Sequence, residues 1–143
     1  MEENIDLTPV TVVADIGSGT GICSRLFLEN GNTGYGVESN DEMRQYSSIS
    51  FQAYPGFHSM KGTGENTGLK EKSIDLVVCA QSFHWLNPDL SRKEFQRILS
   101  AQRYVVLIWN DKTKERTASI RIMNLFAGDT KDLDRNITAV EVL

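Results

Sequence analysis

Apolar residues along the chain come in short dense runs, separated by polar stretches that carry glycine. The run from Val10 to Ile16, "VTVVADI", is rich in β-branched residues and predicts a fully buried strand. Ile22 to Glu29, "ICSRLFLE", predicts a helix that stops at Asn30-Gly31. Thr33 to Val37 predicts a short second strand. Ser39 or Asn40 then caps a helix through Asp41, Met43 and Tyr46, with acids in its first turn. Phe57 to Lys61 predicts a third strand, and Gly62 to Gly68 a polar, glycine-rich loop. Ile74 to Ala80, "IDLVVCA", and Tyr104 to Trp109, "YVVLIW", predict a fourth and a fifth strand. Between them Leu90, Phe95, Ile98 and Leu99 make one helical face. A last helix is predicted over Ile120 to Phe126. Strands that alternate with helices predict an α/β domain with a parallel sheet.

Composition narrows the picture. A chain of 143 residues is sized for one domain with a modest core. Residues 10 to 111 carry the alternating pattern, and 112 to 143 read as a final helix and tail. The net charge of −4, with no arginine-rich run, argues against a nucleic-acid partner. No apolar run approaches membrane-spanning length. The opening "MEENIDLTPV" is acidic and polar, unlike a secretory leader. Cys23 and Cys79 have no metal-like spacing, so the expectation is no metal and a reduced, cytoplasmic protein.

The candidate chemistry lies where the first strand meets the first helix, in "DIGSGTGI". Gly17, Gly19 and Gly21 let the backbone approach a ligand closely, at the end of an α/β sheet where ligands bind. No Gly-Lys-Ser/Thr closes the loop, which excludes a triphosphate loop. A dinucleotide fingerprint would want glycine where Ile22 stands. Asp15, two residues before the first glycine, suits a cationic ligand end rather than a pyrophosphate. Its alternative role is structural, held by the backbone amides of its own turn.

Glu38 closes the second strand about 20 residues after the loop, where an acid accepts hydrogen bonds from ribose hydroxyls. The alternative is an ordinary surface glutamate. His84, in "QSFHW" beyond the fourth strand, is the candidate base; its alternative is to orient a loop beside Trp85. His58 has no assigned role.

Five segments follow one another in order: "VVADIGSGTG", "GYGVESNDEMR", "GTGENTGL", "SIDLVVCAQSFHW" and "VVLIWND". Together they resemble class I S-adenosylmethionine-dependent methyltransferases of the small-molecule type often called type 11, over residues 10 to 111. The resemblance implies a Rossmann-like, doubly wound, mainly parallel sheet in strand order 3-2-1-4-5. It implies S-adenosyl-L-methionine as cofactor and methyl transfer to a small-molecule acceptor. Asp15, Gly17, Ser18 and Gly19 would face the amino-acid part of the cofactor. Glu38 would hold its ribose, with Ser39 and Met43 beside the adenine. Thr63, Gly64 and Glu65 would contact the adenine edge, and Gln81 would line the pocket near the sulfonium. His84 would be the catalytic base, if one is used.

Departures from the family set further expectations. Relatives have a Lys-Pro-Gly-Gly turn before the fifth strand, where this chain reads "SAQRY". Relatives also carry an extra amino-terminal helix and a final antiparallel strand pair. The short chain reads as truncated, without that pair and without a complete acceptor cover. "YVVLIW" would then be an exposed edge, open to pairing with the tail "ITAVEVL" or with a second copy in a homodimer. The competing functional reading is a non-catalytic nucleoside-binding module that has lost its acceptor site.

Overall fold

A computed structural model describes residues 10–80, 86–110, 117–124 and 137–141. The elements run β1 (Val12–Ile16), α1 (Ile22–Glu29), β2 (Thr33–Glu38), α2 (Asp41–Ser50), β3 (Phe57–Lys61), β4 (Ile74–Ala80), α3 (Pro88–Ile98), β5 (Leu99–Asn110), β6 (Thr117–Asn124) and β7 (Ile137–Glu141). The strands form one sheet in the order β3-β2-β1-β4-β5-β6-β7. The first five pair in parallel, in the expected order 3-2-1-4-5.

The alternating faces of the strands explain the packing. Ala14 and Ile16 face one way with Val37, Val77 and Cys79, and Phe95 and Ile98 of α3 cover them. Val13, Leu76, Val78 and Val106 face the other way, under Cys23 and Phe27 of α1. The central strands are thus buried on both faces, which is why they read as near-continuous apolar runs. Phe95 is fully buried, and such a side chain contributes about 1.5–3 kcal/mol.

α3 departs from its expected face. Leu90 is exposed, whereas Ser91, Glu94, Phe95 and Ile98 are buried. These four stand at helical spacing, so the inward stripe of α3 is half polar. Asn87 caps the helix through the amides of Asp89 and Leu90. Chain direction changes directly at Leu99, which is already extended. "SAQRY" makes no glycine turn; it is absorbed as a register shift. Ile74 pairs Leu99 and Leu76 pairs Tyr104, so two steps along β4 oppose five along β5.

The carboxyl-terminal part corrects three expectations. The helix over Ile120 to Phe126 is instead the strand β6, antiparallel to β5. "TASIRIM" alternates polar and apolar residues, a period of two that outweighs the helical reading, and Ile120 and Ile122 stand opposite Ile108 and Val106. The terminal antiparallel pair expected to be missing is present as β6 and β7. The tail does add as a strand, but beside β6 rather than β5. β5 is therefore interior, and the homodimer expected through it loses its exposed edge. Among the described residues no helix is long and apolar enough to cross a membrane.

Candidate functional site

The carboxyl ends of β1 and β2 are tied together by backbone bonds. The amides of Gly17 and Ser18 both donate to the Val37 carbonyl, at 2.8 and 3.1 Å. The Gly19 amide donates to Glu38 Oε1 at 2.8 Å, and the Gly21 amide to the Ser18 carbonyl at 3.0 Å. Four donors of the loop are thus satisfied within the protein. A pyrophosphate or triphosphate would need such amides free to cradle its oxygens.

The loop can run this close only with glycine at two positions. Gly21 has φ +93°, and a Cβ there would collide with the Phe51 ring. Gly19 has φ +59°, and a Cβ there would stand 3.9 Å from the Met43 sulfur. Met43, in the first turn of α2, is therefore a wall of the space above Gly19, and it is partly exposed.

Asp15 lies on the α1 side of β1 and is buried. Its Oδ2 accepts the Ser24 hydroxyl at 2.6 Å. Its Oδ1 is buried with no hydrogen-bond partner among the described residues. Burial pushes the carboxyl up to about 6; the Ser24 hydroxyl and backbone amide pull it down, and the charge of Glu38 pushes it further up. A buried acceptor with an unused lone pair is costly unless a ligand satisfies it. The structural hold on Asp15 differs from the expected one: the Ser24 hydroxyl of α1, rather than the backbone amides of its own turn, occupies Oδ2.

Glu38 is half-buried at the end of β2. Besides the Gly19 amide it accepts the Asn40 amide at Oε2, 2.9 Å. Asn40 in turn caps α2 through the Met43 amide at 2.9 Å, with Asp41 and Glu42 in the first turn. Ser39 is exposed between Glu38 and this cap. Two carboxylates, Asp15 and Glu38, thus flank one loop in which the Gly17, Ser18, Gly19 and Gly21 amides are engaged. This end of the sheet is acidic, and suits a cation and hydroxyl donors.

The loop after β3 brings Thr63, Gly64 and Glu65 to the start of α3. Thr63 and Asn66 exchange backbone bonds of 3.0 and 3.2 Å, and Thr63 is exposed. Gly64 is buried against Leu86. Glu65 Oε1 accepts the Asn87 amide at 2.7 Å, so its carboxylate already works for the helix cap. Gln81 and His84 lie outside the described residues. Cys79 is buried and Cys23 half-buried, both as free thiols. Burial, then the nearby Asp15, push Cys23 up to about 12 and raise Cys79 as well. Neither is a nucleophile at neutral pH.

One group escaped the sequence reading. Glu94 of α3 is buried and accepts both the amide and the hydroxyl of Thr67, at 2.7 and 2.8 Å. Arg97 holds both of its oxygens, at 2.6 and 2.9 Å, and holds the carboxyl well down, to about 2. The available signal was Glu94 beside Phe95 on the inward stripe, with Arg97 three residues on.

A family model described as a methyltransferase domain matches residues 14–107, well over half of the chain. An uncharacterized methyltransferase of Mycobacterium tuberculosis, Rv3342, is 30% identical over 120 residues, covering 84% of this chain and 48% of that protein. The chain spans about half the length of the curated relatives it matches. Among solved structures, a SAM-dependent methyltransferase from Aquifex aeolicus superposes with a TM-score of 0.69 at 19% identity, over 76% of this chain and 63% of that one. Haemonchus contortus phosphoethanolamine N-methyltransferase 1, in complex with phosphoethanolamine and S-adenosylhomocysteine, superposes with a TM-score of 0.65 at 18% identity, over 76% of this chain and 24% of that one. At such identities the superpositions show a shared fold, while the family match reaches from the strand that carries Asp15 to β5. The chain belongs to the class I S-adenosylmethionine-dependent methyltransferases.

Proposed function

We propose that the chain binds S-adenosyl-L-methionine and transfers its methyl group to a small-molecule acceptor in the cytoplasm. The observation that carries this reading is the buried Oδ1 of Asp15, without a partner among the described residues, beside a glycine loop whose Gly17, Ser18, Gly19 and Gly21 amides are engaged. That arrangement favours a ligand with a cationic amino-acid end and hydroxyl donors over one with phosphates. The solved Haemonchus neighbour holds S-adenosylhomocysteine on the same fold.

The residues fit the group. Asp15 would accept the ammonium, directly or through water, and the Gly17, Ser18 and Gly19 backbone would flank the amino-acid portion. Glu38 keeps lone pairs on both oxygens beyond the Gly19 and Asn40 amides, enough for two ribose hydroxyls. Met43 and Ser39 would lie along the adenine, with Thr63 and Gly64 at its edge. When bound, the cofactor supplies an electrophilic methyl on a positive sulfur, already a good leaving group. The remaining work is to align the acceptor and exclude water. Gln81 would line that end of the pocket and His84 would accept the acceptor's proton where one is released.

Titration with S-adenosylhomocysteine tests the binding half of this proposal. A screen of small acceptors with methyl-labelled cofactor tests the transfer half. Saturable binding with label transfer supports it, and the absence of binding removes it.

A further inference from the structure

The loop between β3 and β4 carries Thr63 and Gly64; its own hydrogen bonds close the Thr63–Asn66 turn and the Thr67–Leu69 step but do not tie either to the rest of the fold. α3 and the two residues that lead into it fasten the loop to the fold at four successive points. Gly64 packs so closely that a Cβ would stand 2.6 Å from Leu86 Cδ1. Glu65 accepts the Asn87 amide. Thr67, fully buried, gives both its amide and its hydroxyl to one oxygen of Glu94. Arg97 grips Glu94 and donates to the Leu69 carbonyl at 2.8 Å. The buried carboxylate is the centre of this clamp, because it alone meets both the loop and the arginine.

We propose that Glu94 is a positioning residue for the nucleoside end of the bound cofactor. It acts through Thr67, four residues after Thr63, by holding the loop in the form that meets the adenine edge. This rests on the cofactor reading above. A clamp that only fastens the β3–β4 connection to α3 would affect stability and leave ligand affinity alone. A positioning clamp affects the two ends of the ligand unequally, since Asp15 and Glu38 hang from other elements.

The test is calorimetry with two ligands, S-adenosylhomocysteine and 5′-methylthioadenosine, which lacks the amino-acid end. Wild type, Glu94→Ala, Glu94→Gln, Thr67→Val and Asp15→Asn are compared well below their melting temperatures, with folding checked by circular dichroism. Glu94→Ala is expected to weaken both ligands by the same factor, on the order of tenfold. Thr67→Val weakens both by less, since the Thr67 amide still reaches Glu94. Glu94→Gln, which retains an acceptor for Thr67, recovers part of the loss. Asp15→Asn weakens S-adenosylhomocysteine only. Folded variants at Glu94 and Thr67 that bind both ligands as wild type does would overturn the inference. If Glu94→Ala does not fold, Thr67→Val and Glu94→Gln decide it. A wild type that binds neither ligand would overturn the cofactor reading itself, which separates the two failures.

Discussion

Glu38 Oε1 accepts the Gly19 amide at 2.8 Å, so the acid that closes β2 is bonded to the loop that leaves β1. The same carboxylate receives the Asn40 amide that opens α2. One side chain therefore sets the spacing between the glycine loop and the second helix, and the candidate site lies between them.

Glu38→Ala is expected to weaken S-adenosylhomocysteine binding by about 1–3 kcal/mol, through lost hydrogen bonds to a charged acceptor. Glu38→Gln keeps a carbonyl acceptor and is expected to lose less. Isothermal titration calorimetry of the three proteins checks both. Equal affinity in all three would remove Glu38 from the site.

Asp15 gives a pH signature with a definite sign. Its carboxyl stands near 6 in the folded chain against an ordinary 3.8. The folded state therefore binds this proton more readily than the unfolded state. Above pH 6 the buried charge costs about 3 kcal/mol, and that penalty is relieved as pH falls from 6 towards 4. Asp15→Asn should gain on wild type as pH rises through that window, whatever constant offset the new amide adds. Urea melts at pH 4, 5, 6 and 7 measure it, and a stability difference that does not change with pH would contradict the account. S-adenosylhomocysteine affinity should fall in the opposite sense, weakening below pH 6 as Asp15 loses its charge.

Fold and site were unequally legible. β1, β2 and β4 could be read because each is a short apolar run bounded by polar or glycine-bearing residues. The places of Asp15 and Glu38 near the ends of β1 and β2 could be read because the glycine loop marks where those strands stop; their bonds to Ser24, Gly19 and Asn40 could not. β6 could not, because Ile122, Leu125 and Phe126 stand at helical spacing, and only pairing with β5 decides the period. The sequence of α3 favours Leu90 inward, since an apolar residue is a better core candidate than Ser91 or Glu94, yet Leu90 is exposed and the two polar residues are buried. The Glu94–Thr67 bond joins residues 27 apart, and no local pattern announces such a contact.

Glu94 supplies the opposite acid signature. Its carboxyl is held near 2 against an ordinary 4.5, first by the Arg97 hydrogen bonds. Its stabilising contribution is complete above pH 4.5 and is lost as pH falls towards 2. Glu94→Gln is expected to destabilise the chain by about 1–3 kcal/mol at pH 7 and by progressively less below pH 4.5. Thermal melts across that range check it, and a deficit that grows on acidification would count against the clamp.

The two thiols should be slow. With Cys23 raised to about 12 and Cys79 raised by burial, neither forms appreciable thiolate at pH 8. A thiol reagent should react slowly with the native chain and rapidly with both cysteines in denaturant. Fast labelling of one native cysteine would show an opening around Asp15 and α1 that this fold does not contain.

The acidic loop, with its Gly17, Ser18, Gly19 and Gly21 amides engaged, is proposed to be built for a nucleoside with a cationic amino-acid end. Parallel calorimetric titration of the wild-type chain with S-adenosylhomocysteine and with NAD tests it most directly. The account predicts saturable one-to-one binding of S-adenosylhomocysteine, weakened at pH 5, and no heat beyond dilution from NAD. Preferential binding of NAD, or S-adenosylhomocysteine binding that strengthens on acidification, would contradict it.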